Sequence, residues 1–427
     1  MAAVRFAIAS AGVIASELVA DSEATAVDLG NEGHWAAQMT PSSRGRQRPR
    51  LGAVPYRAMQ DGLASAPTAR PWRKALLVIG ATFVASRVLL VLIALIVEFA
   101  LPLDYARPSY SSSPILASLT GSDSVYLLGI AASGYHALPI SQNYLDWAFF
   151  PLYPMVVRVA SLVTFGDLAW AGVLISNLAT LGGAWLLYRL GELRLGHRRA
   201  LLAVVYLLIA PGAVAFGMAY TDSLFLVLAL AAVYAAERSR WGLMGVFYGL
   251  ATLTRLPGIF LIVPLLLIVL ASERRSIRAA VPLFLGPLAL GGFTLYLWQQ
   301  FGVWFAYLQA QASWSNPANT VAGGGLPAGV EPLVALLIGT LLLYVFLLVY
   351  MRPDRLDISS ISYVIVSLLT VIGSLRLLSV GRYLAVVWPF SWLLAGRGGV
   401  VPVLWPAMSG ALFSLYALLH FTQTLAP

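Results

Sequence analysis

The apolar run ALLVIGATFVASRVLLVLIALIVEFA, residues 75–100, decides the fold class of this chain. It is longer than the roughly 20 residues that a helix needs to cross a bilayer, and its only charged side chains are Arg87 and Glu98. Comparable apolar segments recur to the C-terminus with no soluble domain between them. We therefore predict an all-α, polytopic membrane protein in which residues 75–427 form a single membrane domain.

Composition supports this class. Of the 427 residues, 59% are hydrophobic and 11% are charged, whereas about a quarter are charged in soluble domains. The absence of cysteine excludes disulfides, thiolate metal ligands and thiol nucleophiles. Because the basic residues cluster in short loops, the net charge of +9 reflects membrane topology, and we predict no nucleic-acid partner.

Residues 1–74 have a different character and are predicted to form a disordered, basic cytoplasmic tail. The stretch SSRGRQRPR at residues 42–50 has no apolar period. A start codon assigned too far upstream, with Met39 or Met59 as the true start, is an equally good interpretation. We expect no function in this tail.

Charge sets the predicted topology. Arg70, Arg73 and Lys74 precede the first span and place its N-terminus in the cytoplasm, and the basic loop at residues 189–199 is the next cytoplasmic one. The span at residues 169–190 then runs inward, which leaves residues 101–168 as a large external loop. Within that loop, residues 148–165 are predicted to lie at the membrane interface.

Nine further spans are predicted downstream, for a total of about eleven. Several are shorter than the usual span of about 20 residues, so tilted or broken helices are expected. They cover residues 200–217, 224–236, 241–254, 257–271, 280–298, 333–350, 358–375, 383–395 and 400–420. This topology puts a set of charged residues on the outer face, where the positive-inside rule requires no arginine: Asp123, Asp222, Arg255, Arg376 and Arg382.

Three carboxylates are candidates for chemistry. Asp123 could accept a proton from a sugar hydroxyl, or it could only cap the helix that follows it. Asp222 opens a span, where the helix dipole would stabilise it without any catalytic role. Asp146 precedes the interfacial segment and could cap that helix. His136, in the external loop, is either a base or an interfacial residue.

Arg255 and Arg382 are candidates for binding an anionic group. Each lies near a break between short spans, and a guanidinium there could hold a lipid phosphate with two hydrogen bonds. The alternative is that each side chain extends to the lipid headgroups, as arginines at span ends commonly do. No Walker loop, zinc-binding helix or Rossmann-like alternation is present, so we predict no metal site, and any transferred sugar should come from a lipid.

Five segments resemble a known family. They are SDSVYLLGIAASGY at residues 122–135, AFFPLYP at 148–154, YTDSLF at 220–225, TRLPG at 254–258 and RYLAVVWPF at 382–390. In this order they resemble the PIG-V-like mannosyltransferases, which are related to the second mannosyltransferase of GPI-anchor synthesis and are of the GT-C type. Two positions depart from the family pattern, because Ser122 replaces a tryptophan and Asp222 replaces a glutamate.

The resemblance implies a GT-C-like fold whose first external loop carries interfacial helices. It also implies transfer of mannose from a polyprenyl-phosphate donor to a glycolipid or glycan, with inversion and without a cofactor. Asp123 would be the base, and Arg255 and Arg382 would bind the lipid phosphate. The other implied substrate-binding residues are Tyr126, Tyr135, His136, Asp146, Trp147, Phe150, Tyr153, Asp222 and Tyr383.

Other functions stay open at this point. A transporter or flippase for a lipid-linked sugar would also use outer-face arginines and broken helices. A transferase for another polyprenyl-linked sugar such as arabinose, or a family member that has lost activity, would carry the same segments. The usage of Ala, Leu and Arg, together with the lack of cysteine, favours a bacterial plasma membrane with the active site on the extracytoplasmic face. In a eukaryote the acceptor would be a GPI precursor.

Overall fold

The computed structural model describes residues 71–101, 109–136, 146–272, 277–314, 339–340, 344–345, 356–374 and 379–422. Within these ranges the secondary structure is helical, apart from one isolated β-bridge between Ser109 and Gly121. The predicted N-terminal tail lies outside the described residues up to position 70. Arg376 and most of the predicted span at 333–350 also lie outside them.

Sixteen α-helices are present in the described part of the chain. They are α1 Pro71–Ala100, α2 Pro114–Leu119, α3 Asp123–Ser133, α4 Leu152–Ala160, α5 Leu168–Leu195, α6 His197–Leu208, α7 Thr221–Glu237, α8 Trp241–Thr252, α9 Ile262–Ala271, α10 Ile277–Ala280, α11 Leu285–Phe301, α12 Ala306–Trp314, α13 Ile358–Ser374, α14 Val380–Ala385, α15 Pro389–Ala395 and α16 Val401–Phe421. Short 3-10 helices lie at Asp146–Ala148, Pro211–Gly217, Leu256–Leu261 and Val281–Phe284.

Four helical segments in the described residues are long and apolar enough to cross a membrane: Trp72–Ala100, Leu168–Leu195, Ile277–Phe301 and Val401–Phe421. A fifth candidate is the bent pair formed by α6 and the 3-10 helix Pro211–Gly217. The predicted all-α, polytopic membrane class is thereby confirmed. The count of about eleven spans stays a prediction.

Two predicted spans are broken in the structure. The segment at 200–217 bends by 78° between α6 and the 3-10 helix that begins at Pro211. The segment at 383–395 is divided into α14 and α15, with Pro389 at the start of the second helix. Proline supplies no N–H to the preceding turn, so each break falls where a continuous helix would lose a hydrogen bond.

Helices α5 and α7 pack closely along their length. Ideal Cβ atoms built at Gly182 and Gly183 would lie 3.1 and 3.4 Å from the side chains of Val227 and Leu226. Such small residues allow helix backbones to approach within a membrane. This packing positions α7, whose 17 residues span about 25 Å, so its two ends carry separate polar clusters.

The first loop carries the short helices that the resemblance implies. Helix α4 exposes Met155 and Val159, and the turn after it exposes Leu162, Val163 and Phe165. An apolar face of this kind suits the membrane interface. Helices α2 and α3 lie in the same loop. The β-bridge between Ser109 and Gly121 closes the segment that contains α2.

Candidate active site

Two acid–arginine pairs form the centre of the candidate site. Arg382 Nη1 lies 2.5 Å from Asp123 Oδ2. Arg255 is paired with Asp222, whose side chain is almost fully buried. A charge so far from water needs a partner, and each carboxylate has its own guanidinium. The structure thus brings together four residues that the sequence predicts to lie on the outer face and whose convergence the sequence left open.

Each of these four side chains stands at a helix break. Asp123 is the first residue of α3, and Asp222 lies in the first turn of α7 after the 3-10 helix Pro211–Gly217. Arg255 lies between α8 and the 3-10 helix Leu256–Leu261, and Arg382 lies in the short helix α14. Irregular backbone within a membrane is tolerated where it is buried in protein or lines a cavity, and these breaks let polar groups meet in one place.

Aromatic rings join the two pairs. The ring of Tyr383 lies 4.8 Å from the guanidinium carbon of Arg255 and 5.4 Å from that of Arg382. Tyr220 lies 5.1 Å from the same carbon of Arg382, and Phe225 lies 5.7 Å from that of Arg255. Such contacts hold a guanidinium in a defined plane. Both arginines therefore contact the same tyrosine ring.

Three of the four paired residues border a cavity of about 160 Å³, which we call the apolar cavity. Asp123, Arg255, Arg382 and Tyr383 line it together with mostly apolar residues, which include Phe149, Phe150, Phe225, Leu256, Pro257, Phe260, Val366 and Val371. Charged groups at one part of an apolar wall suit a ligand with an anionic head and a hydrocarbon tail.

Two polar atoms at the site have no hydrogen-bond partner among the described residues. Nε of Arg382 is buried and unpaired, and so is Oδ2 of Asp222. Buried polar atoms in folded proteins are nearly always paired, so an unpaired donor beside a cavity indicates a group that a ligand can bind.

Neither Asp123 nor Asp222 is the N-cap residue of its helix. Ser122 stands at the cap of α3 without a side-chain hydrogen bond, and Asp123 is bonded to Arg382 instead. Tyr220 holds the corresponding position of α7 and likewise makes no side-chain cap. Each carboxylate lies in the first turn of its helix, where the helix dipole stabilises it, and each also has an arginine partner.

His136 and Asp146 lie together, but not on the wall of the apolar cavity. His136 Nδ1 is 2.9 Å from Asp146 Oδ2, and the backbone N–H of His136 donates to the same oxygen at 3.0 Å. Burial raises the pKa of Asp146, although the hydrogen bonds and charge of His136 oppose the shift. Trp147 donates from Nε1 to the His136 carbonyl at 2.9 Å and stacks on Phe301.

The predicted aromatic residues differ in their position relative to the apolar cavity. Phe150 lines the apolar cavity. Tyr126 stacks on Phe149 at 5.3 Å, and the Tyr135 hydroxyl donates to the Phe149 carbonyl at 2.7 Å. Phe149 lines the cavity, and these two tyrosines hold it in position without lining the cavity themselves. Tyr153 is fully buried, and its hydroxyl donates to the Gly172 carbonyl at 2.9 Å, which explains its position by the packing of α4 against α5.

Sequence reasoning missed two residues near the centre. Tyr220 was noted only as part of a motif, yet its ring lies beside Arg382 and its hydroxyl is 2.9 Å from His420 Nε2. His420 comes from α16, 200 positions away in the sequence. In the sequence His420 is a lone histidine near the end of an apolar segment, and no pattern around it predicts a contact with Tyr220.

Comparisons with known proteins indicate which family this chain resembles. Residues 151–298 match the profile of the family described as dolichyl-phosphate-mannose-protein mannosyltransferase. Over 240 residues the chain is 25% identical to GPI mannosyltransferase 2 of Yarrowia lipolytica (strain CLIB 122 / E 150). That alignment covers 55% of this chain and 63% of the relative, so the chain spans less than two thirds of the relative's length.

Similarity also extends to solved structures. ArnT from Cupriavidus metallidurans bound to undecaprenyl phosphate matches 79% of this chain and 76% of its own, with 19% identity and a TM-score of 0.43. The family match and the related mannosyltransferase confirm the resemblance that the five sequence segments predict. The family match includes Asp222 and Arg255, while Asp123 and Arg382 lie outside it.

Proposed function

We propose that this chain, a membrane protein that resembles the PIG-V-like mannosyltransferases, transfers mannose from a polyprenyl-phosphate donor to a hydroxyl of a glycolipid or glycan. The observation that carries the proposal is the pair of arginines held on the ring of Tyr383 at the wall of the apolar cavity, each beside a carboxylate. Binding of a lipid phosphate needs a cationic group such as arginine, and removal of the proton from a sugar hydroxyl needs a base such as a carboxylate.

The names of the relatives support the choice of donor. The family profile carries dolichyl-phosphate-mannose in its description, and the curated relative is a GPI mannosyltransferase. A lipid-linked sugar also fits the apolar cavity, whose phenylalanines and aliphatic residues suit an isoprenoid chain. We therefore favour a polyprenyl chain in this cavity with its phosphate at the arginines.

Arg255 and Arg382 are proposed to bind that phosphate. A guanidinium has five N–H donors, so each arginine can hold its carboxylate and still donate to a phosphate oxygen. The unpaired Nε of Arg382 is such a free donor. Asp222 is proposed to orient Arg255 by their ion pair, and aspartate keeps the charge of the glutamate usual in the family.

Asp123 is proposed as the general base. The acceptor O–H bond breaks, its proton moves to a carboxylate oxygen of Asp123, and the acceptor oxygen bonds to the anomeric carbon. The bond from that carbon to the phosphate oxygen breaks, and its electron pair leaves with polyprenyl phosphate. The arginines stabilise the charge on this leaving group, and attack opposite to it inverts the anomeric centre.

The charge-derived topology supports an extracytoplasmic site. It puts all four paired residues on the outer face, and the basic loops on the inner one. We propose a bacterial plasma membrane as the location, on the composition of the chain.

The test is transfer by the purified protein in liposomes, with radiolabelled polyprenyl-phosphate mannose and a cell-envelope glycolipid extract. We expect transfer by wild type and a loss of about 10²- to 10⁴-fold in Asp123→Asn, the range for a general base. Asp167→Asn is the matched control, because this aspartate caps α5 through the Trp170 N–H and asparagine caps equally well.

Other outcomes contradict the proposal in different ways. Full transfer by Asp123→Asn would remove Asp123 as the base. Transfer from polyprenyl-phosphate arabinose but not from the mannose donor would change the sugar. If wild type moves the labelled lipid across the bilayer without transferring its sugar, the chain is a transporter.

A further inference from the structure

Arg87 is a cation that the proposed function does not yet use. It lies near the middle of α1, which is long and apolar enough to cross a membrane. Among the described residues its hydrogen-bond partners are an amide and a backbone carbonyl, and its Nη1 is buried with no partner. Unlike Arg255 and Arg382, it therefore has no carboxylate partner in this part of the chain. A cation within a membrane span is costly, and such residues commonly have a function.

The backbone partner of Arg87 is a carbonyl at the end of a helix. Phe216 is the second-last residue of the 3-10 helix Pro211–Gly217. The N–H of Ala219 would continue this helix by bonding to the Phe216 oxygen, but it donates to the Leu119 carbonyl instead. Carbonyls at a helix end need partners from outside the helix. Nη2 of Arg87 supplies one, at 3.2 Å from the Phe216 oxygen.

The same carbonyl is tied to the first turn of α7. Ser223 donates from Oγ to the Phe216 oxygen at 3.2 Å, and Oγ1 of Thr180 in α5 lies 3.0 Å from it. The Thr180 hydroxyl is also 2.8 Å from the Ser176 carbonyl, and its single proton can serve only one of them. Hydrogen bonds from charged donors are stronger than those from hydroxyls. Arg87 therefore provides the strongest hydrogen bond at this carbonyl.

The guanidinium of Arg87 is itself held in place. Its Nε donates to Asn177 Oδ1 at 2.6 Å, and Asn177 donates from Nδ2 to the Val173 carbonyl at 2.7 Å. The ring of Phe83, one turn earlier in α1, lies 4.8 Å from the guanidinium carbon. Such contacts restrict the plane of a guanidinium. Arg87 is thus a fixed donor between α1 and α5.

The segment that Arg87 holds carries two residues of the candidate active site. We call residues 216–222 the junction segment. Within it, the ring of Tyr220 lies 5.1 Å from the guanidinium carbon of Arg382, and Asp222 is paired with Arg255. Arg87 does not line the apolar cavity. Its effect on a ligand there must therefore pass through the junction segment.

We propose that Arg87 is a positioning residue for the donor. Its hydrogen bond to the Phe216 carbonyl fixes the junction segment, and the junction segment fixes the two arginines for binding of the donor phosphate. This inference rests on the proposed function, because it takes Arg255 and Arg382 as the groups that bind that phosphate. The cation is retained for this geometry, since an apolar residue would be less costly within the membrane.

The test separates position from stability. Arg87→Met/Asn177→Leu replaces both hydrogen-bonding partners by apolar side chains of similar size, a change that is nearly neutral for stability or favourable. The Phe216 oxygen keeps two hydroxyl groups within reach, those of Thr180 and Ser223. Arg73→Met is the control, because it makes the same substitution at an exposed position of α1.

The full-length variants in liposomes are compared by thermal unfolding, by the kinetics of transfer from polyprenyl-phosphate mannose, and by binding of undecaprenyl phosphate. The double variant should unfold close to the midpoint of wild type. Its kcat/KM for the donor should fall about 10²-fold, as for a shift of about 1 Å at a reacting group. Its donor KM and its Kd for undecaprenyl phosphate should each rise about tenfold, equivalent to one lost charged hydrogen bond. Arg73→Met should match wild type in all three measurements.

A purely structural role predicts a different result. It would reduce the amount of folded protein, and with it the apparent kcat, but it would leave the donor KM and the Kd unchanged. The inference is overturned if the double variant keeps both of these constants at their wild-type values. It is also overturned if the double variant does not fold, because Arg87 would then be needed for stability.

Failure of this inference can be told from failure of the proposed function. If wild type transfers sugar and the double variant has the same donor KM, only the positioning role falls. If wild type transfers no sugar but binds undecaprenyl phosphate about tenfold more tightly than the double variant, the positioning role stands and the transferase falls. If wild type neither transfers sugar nor binds undecaprenyl phosphate, both fall.

Discussion

The backbones of Gly212 and Gly381 are in direct contact. A Cβ atom built at Gly212 would lie 1.9 Å from the carbonyl oxygen of Gly381 and 2.6 Å from the backbone nitrogen of Arg382. The 3-10 helix Pro211–Gly217 therefore supports the segment that presents Arg382 to Asp123. A side chain at Gly212 would force the two backbones apart.

Gly212→Ala is expected to displace Arg382. The added methyl group cannot fit against a backbone carbonyl, and a shift of about 1 Å at a reacting group can cost about 10²-fold in rate. Sugar transfer should fall by about that factor, with a lower thermal midpoint. Gly242→Ala is the control, because a Cβ there meets nothing within 4 Å in helix α8. Equal activities of the two variants would contradict the proposed support of Arg382.

Asp222→Asn is expected to weaken donor binding and stability together. Removing one partner of a buried ion pair costs about 3–5 kcal/mol, because Arg255 is left with an uncompensated charge. The double variant Asp222→Asn/Arg255→Met should recover much of the thermal stability, since no charge is then buried alone. It should not recover binding of polyprenyl phosphate. Recovery of both would show that Arg255 does not contact the donor.

Asp146 should make stability depend on pH in a predictable direction. Its pKa in the folded protein is raised from 3.8 by burial, so the folded state holds the proton more tightly than the unfolded state. Stability should then fall as pH rises from about 4 through the raised pKa. Asp146→Asn keeps an oxygen acceptor for His136 and cannot ionise, so its thermal midpoint should change less over this range. The control is Asp167→Asn, which removes an exposed carboxylate.

Arg194 connects helix ends at the opposite end of α7 from Asp222. It is paired with Glu237 and Asp357, and its guanidinium carbon lies 5.1 Å from the centre of the Trp392 ring. Because these groups are partly exposed, Arg194→Met should cost about 1–2 kcal/mol, between the values for surface and buried pairs.

Thermal denaturation of Arg194→Met measures this loss. Binding of polyprenyl phosphate at a temperature where the variant is folded should equal that of wild type, because the two clusters lie at opposite ends of α7. A large loss of donor binding without a loss of stability would contradict a purely structural role for Arg194.

Much of the helical organisation can be predicted from local sequence. The span at 75–100 corresponds to α1 and the span at 169–190 to α5, because a long apolar run has few alternatives to a helix in lipid. The bend at Pro211 is harder to predict from the sequence. Residues 200–217 have the hydropathy of one span, and the proline and glycine inside it redirect the chain by 78°.

The candidate site could be predicted only in part. Asp123, Asp222, Arg255 and Arg382 were chosen from the sequence because charged residues on the outer side of short, broken spans need a reason to be there. The pairing could not be predicted, since either arginine could have served either carboxylate. His136 was chosen for its place in the predicted external loop, and Asp146 because it precedes the interfacial segment. The structure places them together, and neither lines the apolar cavity.

The sequence by itself determined the membrane class, the approximate helices and the residues with unusual charge, because hydropathy and backbone preferences are local properties. Tertiary structure decided that Asp123 meets Arg382 and that Tyr220 meets His420. These contacts join helices far apart in the chain. They form only when the helices pack, because packing determines which backbones approach each other. A small residue such as Gly212 permits a close approach to Gly381 but does not by itself indicate the partner.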